Sequence, residues 1–265
     1  MFDWLKSLQR VEPYMPEQQL VYAVGDVHGM IDLLKALVRK ILKDAAGFPD
    51  FRARIIFLGD FIDRGDHSKG VIDQLIAYSQ LTHVDWTFLK GNHEESLLRF
   101  LKDPEFGPQW LAYGAAPTFA SYGVSLPANR QDSEAWSATA EALVAAIGPS
   151  HMAFLESLST SYSCGSYFFA HAGVRPGVPL SEQSKNDLLW IRGQFLHDKR
   201  NLPAIIVHGH SPDAEPFIDH RRIGVDTGAY ATGRLTAVRL MGTGAELISV
   251  MSPNGRSRHK LGVWG

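Results

Sequence analysis

The chain has 265 residues, 45% of them hydrophobic, which is enough to bury a large core within one domain. Its formal charge of -2 leaves no basic excess of the kind that binds a nucleic-acid backbone, so we expect no nucleic-acid partner. The single cysteine, Cys164, excludes an intrachain disulfide and a thiolate metal cluster, and it fits a reducing cytoplasm.

The first residues of the sequence do not resemble a signal peptide. Residues 1–10 lack the continuous apolar stretch of a signal peptide, although Phe2, Leu5 and Leu8 could form a short amphipathic turn that packs on the core or on a second subunit. Residues 253–265 are expected to be a loosely held end. No other segment approaches the roughly 20 apolar residues that span a bilayer. We therefore expect a cytoplasmic protein with no membrane partner, and its oligomeric state stays open.

Five short runs rich in β-branched and aromatic residues predict buried strands. They cover residues 20–24, 55–58, 86–89, 167–170 and 204–207. Helical patterns over 31–42 and 71–76 separate the first three runs. This alternation predicts an α/β fold with right-handed crossovers.

Two later regions depart from this alternation. Residues 104–159 contain five prolines, several aromatic residues and a helical pattern over 138–147, and we expect them to form an insertion that caps a single domain spanning residues 1–265. After residue 207, short runs separated by turn residues predict an antiparallel β meander. These runs cover residues 217–218, 223–225, 235–240 and 246–251.

A polar cluster directly follows each of the five predicted strands. The clusters read GDVHG at 25–29, GDFIDRG at 59–65, GNHE at 91–94, HAG at 171–173 and HGH at 208–210. Because the carboxyl ends of strands in an open α/β sheet line one crevice, the five loops are expected to meet at a single site.

The chemistry of these clusters suits divalent metal ions. Carboxylate, amide oxygen and imidazole together favour Mn, Fe or Zn over a thiolate site or an all-oxygen calcium cage. Six such donors exceed what one tetrahedral site takes from protein, so two adjacent ions are expected. Taken alone, Asp26 would be interpreted as a helix cap and His171 as a core residue. Helix capping requires no particular combination of His, Asn and Arg, so it does not explain polar clusters at all five strand ends.

The ordered motifs GDVHG, GDFIDRG, GNHE, HAG and GHSP resemble the phosphoprotein phosphatase branch of the metallophosphoesterases, especially bacterial serine/threonine protein phosphatases, over about residues 21–238. The resemblance implies an α/β fold, α+β in part: a four-layer αββα sandwich with two mixed β sheets flanked by helices. It also implies a dimetal-dependent phosphoester hydrolase that uses a metal-bridging hydroxide as nucleophile. Mn²⁺ is the first expectation for the ions, with Fe or Zn as alternatives.

The resemblance further implies six metal ligands. Asp26 and His28 would bind the first ion, and Asp60 would bridge the two ions. The second ion would be bound by Asn92, His171 and His210. The spacing also permits His208 as a ligand, since residues two apart in a strand face the same side. The GHSP pattern favours His210.

Four more residues receive catalytic roles from the resemblance. Arg64 and Arg192 would hold the phosphate through their guanidinium forks. For Arg192 alone, a surface ion pair is nearly as good an interpretation. His93, oriented by Asp63, would protonate the departing alkoxide, which is typically worth about 10²–10⁴-fold in rate.

The motifs leave the substrate open. A phosphorylated protein or peptide, or a small phosphomonoester, is slightly favoured because residues 190–192 match the second phosphate-binding arginine. A symmetrical dinucleoside polyphosphate hydrolase, acting on diadenosine tetraphosphate, is the alternative. The aromatic residues of 104–159 could stack on a base, form a rim for a peptide, or form the insertion's own core. They are Phe106, Trp110, Tyr113, Phe119, Tyr122 and Trp136.

Other classes are less favoured. Diester-cleaving relatives end in GHxH, and Pro212 occupies the place of their second histidine. A non-catalytic phosphate-binding pseudoenzyme is opposed by the complete set of ligands, arginines and proton donor. A redox dimetal protein would have no use for the arginines. Tyr230, in a loop unlike that of eukaryotic relatives, fits a packed loop aromatic better than a residue of the site.

Overall fold

The structure is a computed structural model that describes residues 9–253. Within these residues, ten strands form two five-stranded sheets. The predicted turn at Phe2, Leu5 and Leu8 and nearly all of the predicted loose end at 253–265 lie outside the described residues.

The first sheet carries the first three motifs at its strand ends. Its strands are β1 (Gln19–Val24), β2 (Arg52–Phe57), β3 (Asp85–Phe88), β9 (Arg234–Met241) and β10 (Gly244–Met251). The order is β10-β9-β1-β2-β3, with β1, β2 and β3 parallel and β9 antiparallel to both of its neighbours. Helices α1 (Ile31–Ala45) and α2 (Ser68–Ser79) make the two crossovers, and α3 (Asn92–Phe100) begins at the third motif.

The second sheet carries the last two motifs. Its strands are β4 (Ser161–Cys164), β5 (Tyr167–Ala170), β6 (Ile205–His208), β7 (Phe217–Ile218) and β8 (Arg222–Gly224). The order is β4-β5-β6-β8-β7, in which β5, β6 and β8 are parallel and the two edge strands antiparallel. Helices α7 (Lys185–Trp190) and α8 (Gly193–Leu196) connect β5 to β6.

The central strands of both sheets are buried on both faces. Val21 and Ala23 of β1 point toward the second sheet and share a core layer with Phe169 and Val207. Alternate β1 residues, such as Tyr22, pack against the helices on the outer face of the first sheet. A third layer lies between the second sheet and α7–α8. The predicted sandwich of two mixed sheets flanked by helices is therefore confirmed.

The predicted β meander after residue 207 is wrong. Its runs do form two antiparallel hairpins, β7–β8 and β9–β10, but the hairpins belong to different sheets. Between them the left-handed Gly228 (φ 62°) and the short helix α9 (Ala229–Thr232) lead the chain from one sheet to the other. Here β8 pairs in parallel with β6, and β9 pairs with β1.

Residues 104–159, here called the helical segment, contain α4 (Gly107–Ala112), α5 (Ala116–Ser121) and α6 (Ser133–Ser157). Asp132 caps α6, which is longer than predicted and interrupted at Gly148 (φ 68°) before Pro149. By length and composition α6 could span a membrane, which the sequence analysis did not foresee. This is weak evidence, because Leu143 and Phe154 pack it onto the core of the sandwich.

Candidate dimetal site

The five motif loops meet between corresponding edges of the two sheets. His171, after β5, donates its Nδ1–H to the Leu58 carbonyl at 2.9 Å. The backbone N–H of His210, after β6, donates to the Asp26 carboxylate after β1, with distances of 3.1 and 3.0 Å to its two oxygens. The convergence predicted from the strand ends therefore extends across both sheets.

One group of buried ligand atoms belongs to Asp60, His171 and His210, and these atoms all lie within 4.8 Å of one another. The Nε2 atom of His171 lies 3.4 Å from Asp60 Oδ1 and 2.9 Å from Asn92 Oδ1. The Nε2 atom of His210 is buried and has no hydrogen-bond partner among the described residues. An orphaned imidazole nitrogen beside a carboxylate fits a bound cation.

A second group shares Asp60 and adds His28 and His93. His28 donates Nδ1–H to the Ile62 carbonyl at 2.8 Å, so its Nε2 faces Asp60 Oδ2 at 3.5 Å. His93 Nε2 lies 3.8 Å from the same oxygen. Asp26 lies next to this group but outside it. The ligand geometry alone thus leaves open which of Asp26 and His93 completes the first site.

The acidic side chains of the site are crowded. Burial, then the charges of Asp226 and Asp60, raise the pKa of Asp26 well above its ordinary value. Burial would also raise the pKa of Asp60, but the nearby imidazoles of His171, His93 and His28 hold it well below its ordinary value. Three buried acidic side chains this close together can be neutralised by protons or by bound cations, and divalent ions would supply the positive charge.

The predicted imidazole ligands are suited to metal binding. Burial is the main cause that lowers the pKa of both His28 and His210 well below the usual value. Both side chains are therefore neutral at pH 7, as imidazole must be to coordinate a metal.

His93 is held as a proton donor would be. Its Nδ1 lies 2.6 Å from Asp63 Oδ2, and both side chains are buried. Burial lowers the pKa of His93, but the charges of Asp60 and Asp63 and the hydrogen bond that His93 donates to Asp63 outweigh it, so the pKa is raised. Its Nε2 atom is left on the side of Asp60, 3.8 Å from Oδ2.

The two predicted phosphate-binding arginines lie in different surroundings. Arg64 donates from Nη1 to His28 Nε2 at 3.0 Å, and its guanidinium carbon lies 4.8 Å from the centre of the Tyr230 ring. Tyr230 also meets His28 edge to face at 5.4 Å, so this tyrosine lies at the site. Arg192 is exposed and lines a cleft of about 230 Å³ together with Trp190.

Backbone strain is concentrated at the site. Among the described residues, non-glycine positions with positive φ are Gln18 and five predicted site residues. The five are His28 (42°), Asp60 (53°), Asp63 (71°), Arg64 (65°) and His210 (63°). Such conformations persist only where the surroundings hold them, and they cluster at functional sites.

The sequence analysis missed the role of Glu94. Its buried carboxylate accepts the backbone N–H groups of Asp60, Phe61 and Gly91 at 2.9, 2.7 and 2.8 Å, and a longer one from Ile62 at 3.3 Å. Burial and the Asp60 charge raise the pKa of Glu94 to about 7, while these N–H donors favour the carboxylate. The signal was present: in GNHE, Glu94 stands at the capping-box position behind Gly91.

His208 lies outside both groups of ligand atoms. Its Nδ1 donates to the Gly209 carbonyl at 3.0 Å, its Nε2 accepts from Arg222 at 3.2 Å, and its ring packs on Phe195. The geometry supports His210 as the ligand of the pair.

The aromatic residues of the helical segment mostly form its own core. Trp110, Phe119 and Trp136 are buried against Phe100 of α3. Tyr113 differs, because it is half-buried and reaches Trp190 at 5.4 Å and His93 at 6.5 Å between ring centres.

Comparison with known proteins supports the same chemistry. The family model for calcineurin-like phosphoesterases matches residues 20–240. An asymmetrical bis(5'-nucleosyl)-tetraphosphatase, PrpE, from Bacillus thuringiensis is 26% identical over 234 residues, covering 82% of this chain and 88% of the relative.

Solved structures share the fold. A structure provisionally named a diadenosine tetraphosphatase has a TM-score of 0.59 at 19% identity and covers 92% of this chain and 100% of that one. A serine/threonine phosphatase from Saccharomyces cerevisiae, similar to human PP5, has a TM-score of 0.53 at 16% identity, covering 94% and 87%. The chain belongs to the calcineurin-like phosphoesterase family and is a metal-dependent phosphoester hydrolase.

Proposed function

We propose that the chain is a dimetal phosphomonoesterase whose ions are held by Asp26, His28, Asp60, Asn92, His171 and His210. One observation carries the proposal: His28 Nε2 faces one oxygen of the buried Asp60 carboxylate at 3.5 Å and His171 Nε2 faces the other at 3.4 Å, with the buried His93 paired to Asp63 beside them. Mn²⁺ is the expected ion, with Fe or Zn as alternatives, because the donors are oxygen and imidazole. The bound ions would lower the pKa of a coordinated water and neutralise charge on the phosphate.

The chain's own residues would complete the reaction. Arg64, fixed against Tyr230, and the exposed Arg192 would hold the phosphate oxygens opposite the carboxylates. As water bonds to phosphorus and the ester P–O bond breaks, His93 would pass the Nε2 proton to the leaving oxygen. The products are an alcohol and inorganic phosphate, and the proton lost by the water returns to solvent. The half-buried Cys164 is a free thiol, which agrees with a protein that acts in the reducing cytoplasm.

We favour phosphoserine or phosphothreonine proteins and small phosphomonoesters as substrates. Arg192 lies in an open cleft at the surface, where a phosphorylated side chain on a larger partner could reach it. No partner protein beyond such a substrate is proposed.

A second candidate is a dinucleoside tetraphosphate. The sequence relatives named as tetraphosphatases support it, and so does the pair of half-buried rings, Tyr113 and Trp190, beside the ligands. Rings so placed could stack on a base.

The test is hydrolysis with Mn²⁺ of p-nitrophenyl phosphate, a phosphothreonine peptide, diadenosine tetraphosphate and bis-p-nitrophenyl phosphate. Wild type is compared with Asp60→Asn and with Asp50→Asn, the same exchange at an exposed position. We expect phosphate release by wild type and Asp50→Asn and none by Asp60→Asn. Cleavage of the tetraphosphate would yield ADP alone if symmetrical, or ATP plus AMP if asymmetrical.

Each remaining outcome is decisive. Preference for the tetraphosphate, with a raised KM in Tyr113→Leu, would replace the monoesterase with the second candidate. No turnover of any substrate by metal-loaded wild type would overturn the phosphomonoesterase proposal and favour a phosphate-binding pseudoenzyme.

A further inference from the structure

The Asp63 carboxylate is held from two directions. On one side lies His93, whose Nδ1 is 2.6 Å from Asp63 Oδ2. From the helical segment, the Trp110 indole N–H donates to the same Oδ2 at 2.8 Å, and the Thr118 hydroxyl donates to Oδ1 at 2.5 Å. All four side chains are buried. Asp63 therefore has a fixed orientation only while α4 and α5 stay in place.

The same hydroxyl also fixes the backbone of Asp63. The Asp63 N–H donates to Thr118 Oγ1 at 2.9 Å and to Ser68 Oγ at 3.0 Å, and the two hydroxyls lie 3.0 Å apart. Since Thr118 gives its one proton to the carboxylate, Ser68 must donate to Thr118. This closed set of bonds stabilises Asp63 in its left-handed conformation, with φ of 71°.

The helical segment also holds the next residue. Gly114, between α4 and α5, accepts the backbone N–H of Arg64 at 2.9 Å. A side chain at Gly114 would press on Arg64 Cγ, and Gly114 itself has φ of 104°. Three positions of the helical segment thus converge on two adjacent residues of the GDFIDRG loop.

We propose that Trp110 and Thr118 are positioning residues that fix the Asp63 carboxylate, and through it the His93 imidazole, for proton delivery to the leaving group. The inference rests on the proposed function, in which His93 protonates the departing oxygen. The helical segment would thus have a function beyond its own packing, because its two hydrogen-bond donors, Trp110 and Thr118, would fix the orientation of the proton donor His93 through Asp63.

The effect should depend on the leaving group. The nitrophenolate released from p-nitrophenyl phosphate is weakly basic and departs with little help, whereas the more basic phenolate of phenyl phosphate needs the proton. A misdirected His93 should therefore slow the hydrolysis of phenyl phosphate far more than that of p-nitrophenyl phosphate. Loosened packing or lost metal would slow both substrates alike.

The variants are Trp110→Phe, which removes the indole N–H, and Thr118→Val, which removes the hydroxyl at nearly constant volume. We expect kcat for phenyl phosphate to fall by about 10- to 100-fold and kcat for p-nitrophenyl phosphate by less than about threefold, with KM and bound metal unchanged. Thr118→Ser should restore most of the loss. His93→Asn gives the reference for complete loss of the proton donor.

The same core offers matched controls. Trp136 is buried in the same aromatic cluster, but its indole N–H donates to the Arg130 carbonyl, and the Thr139 hydroxyl donates to the Ala135 carbonyl within α6. Trp136→Phe and Thr139→Val should leave the ratio of the two kcat values unchanged. If Trp110→Phe does not fold, the valine and serine variants of Thr118 decide the matter.

The outcomes separate this inference from the proposed function. If wild type hydrolyses both substrates while Trp110→Phe and Thr118→Val slow them equally, or not at all, the positioning role is overturned and the phosphomonoesterase stands. If wild type hydrolyses neither, the proposed function itself fails. A kcat ratio that changes only in Trp110→Phe, Thr118→Val and His93→Asn is the expected result.

Discussion

Glu94 is the residue whose replacement tests the architecture of the site most sharply. In Glu94→Gln one carboxylate oxygen becomes an NH₂ group. The oxygen that remains can still accept its two backbone N–H groups, but the NH₂ group cannot accept the two N–H groups that the replaced oxygen accepted. At Oε2 these are the N–H groups of Asp60 and Gly91, 2.9 and 2.8 Å away. Each buried donor left without an acceptor costs about 1–3 kcal/mol, so the free energy of unfolding should fall by about 2–6 kcal/mol.

The assay is urea unfolding of the metal-free protein, followed by intrinsic tryptophan fluorescence. Glu95→Gln is the control, because Glu95 is one residue away, half-buried, and paired with Lys185 at 2.7 Å. A partly exposed ion pair contributes about 0–1 kcal/mol, so the control should remain close to wild type. A loss below about 1 kcal/mol in Glu94→Gln would refute the view that its carboxylate ties the GDFIDRG loop to the GNHE loop.

Three further results are expected. First, burial lowers the pKa of His208 to about 3, below the unfolded value of about 6.5, so the contribution of neutral His208 to the free energy of unfolding is complete above pH 6.5 and is lost as pH falls toward 3. In EDTA, His208→Gln should therefore gain stability relative to wild type by roughly 1.4 kcal/mol per pH unit between pH 6 and 4. A stability difference that stays constant over this range would contradict the prediction. Second, Tyr230→Leu removes the aromatic ring that packs on the Arg64 guanidinium. Such a cation–π contact contributes about 0.5–2 kcal/mol, so kcat/KM for phosphomonoesters should fall by about two- to thirtyfold. An unchanged kcat/KM would exclude a role for that contact. Third, adding Mn²⁺ at about 100 times its Kd should stabilise the metal-free protein by about 2.7 kcal/mol for each ion bound. His210→Ala should weaken this shift while His208→Ala preserves it, and equal losses in the two variants would contradict the choice of His210.

Much of the site followed from local signals in the sequence. The motif residues stand directly after buried strands, and parallel strands present their carboxyl ends at one edge, so the convergence of Asp26, Asp60 and Asn92 was predictable. The alternation of strand and helix through β3 was equally plain. Strand β4 was missed because Ser161–Cys164 is short and largely polar.

Other features depend on tertiary contacts that no local pattern encodes. The hairpins β7–β8 and β9–β10 have the same sequence signature whether they share a sheet or not, and only their pairing with β6 and β1 separates them. The bond from Trp110 to Asp63 joins residues 47 positions apart. A buried tryptophan looks the same in sequence whether its N–H donates to the backbone of the core or to a side chain of the candidate site.

Counting metal ions tests the central claim most directly. Metal-depleted protein would be dialysed to equilibrium against Mn²⁺, and the bound metal and the rate of phosphate release measured on the same samples, for wild type, Asp60→Asn and Asp50→Asn. We predict two ions per chain and full activity in wild type and Asp50→Asn, against one ion at most and no activity in Asp60→Asn. Saturation of wild type at a single ion, or two ions retained by Asp60→Asn, would contradict a dimetal site bridged by Asp60.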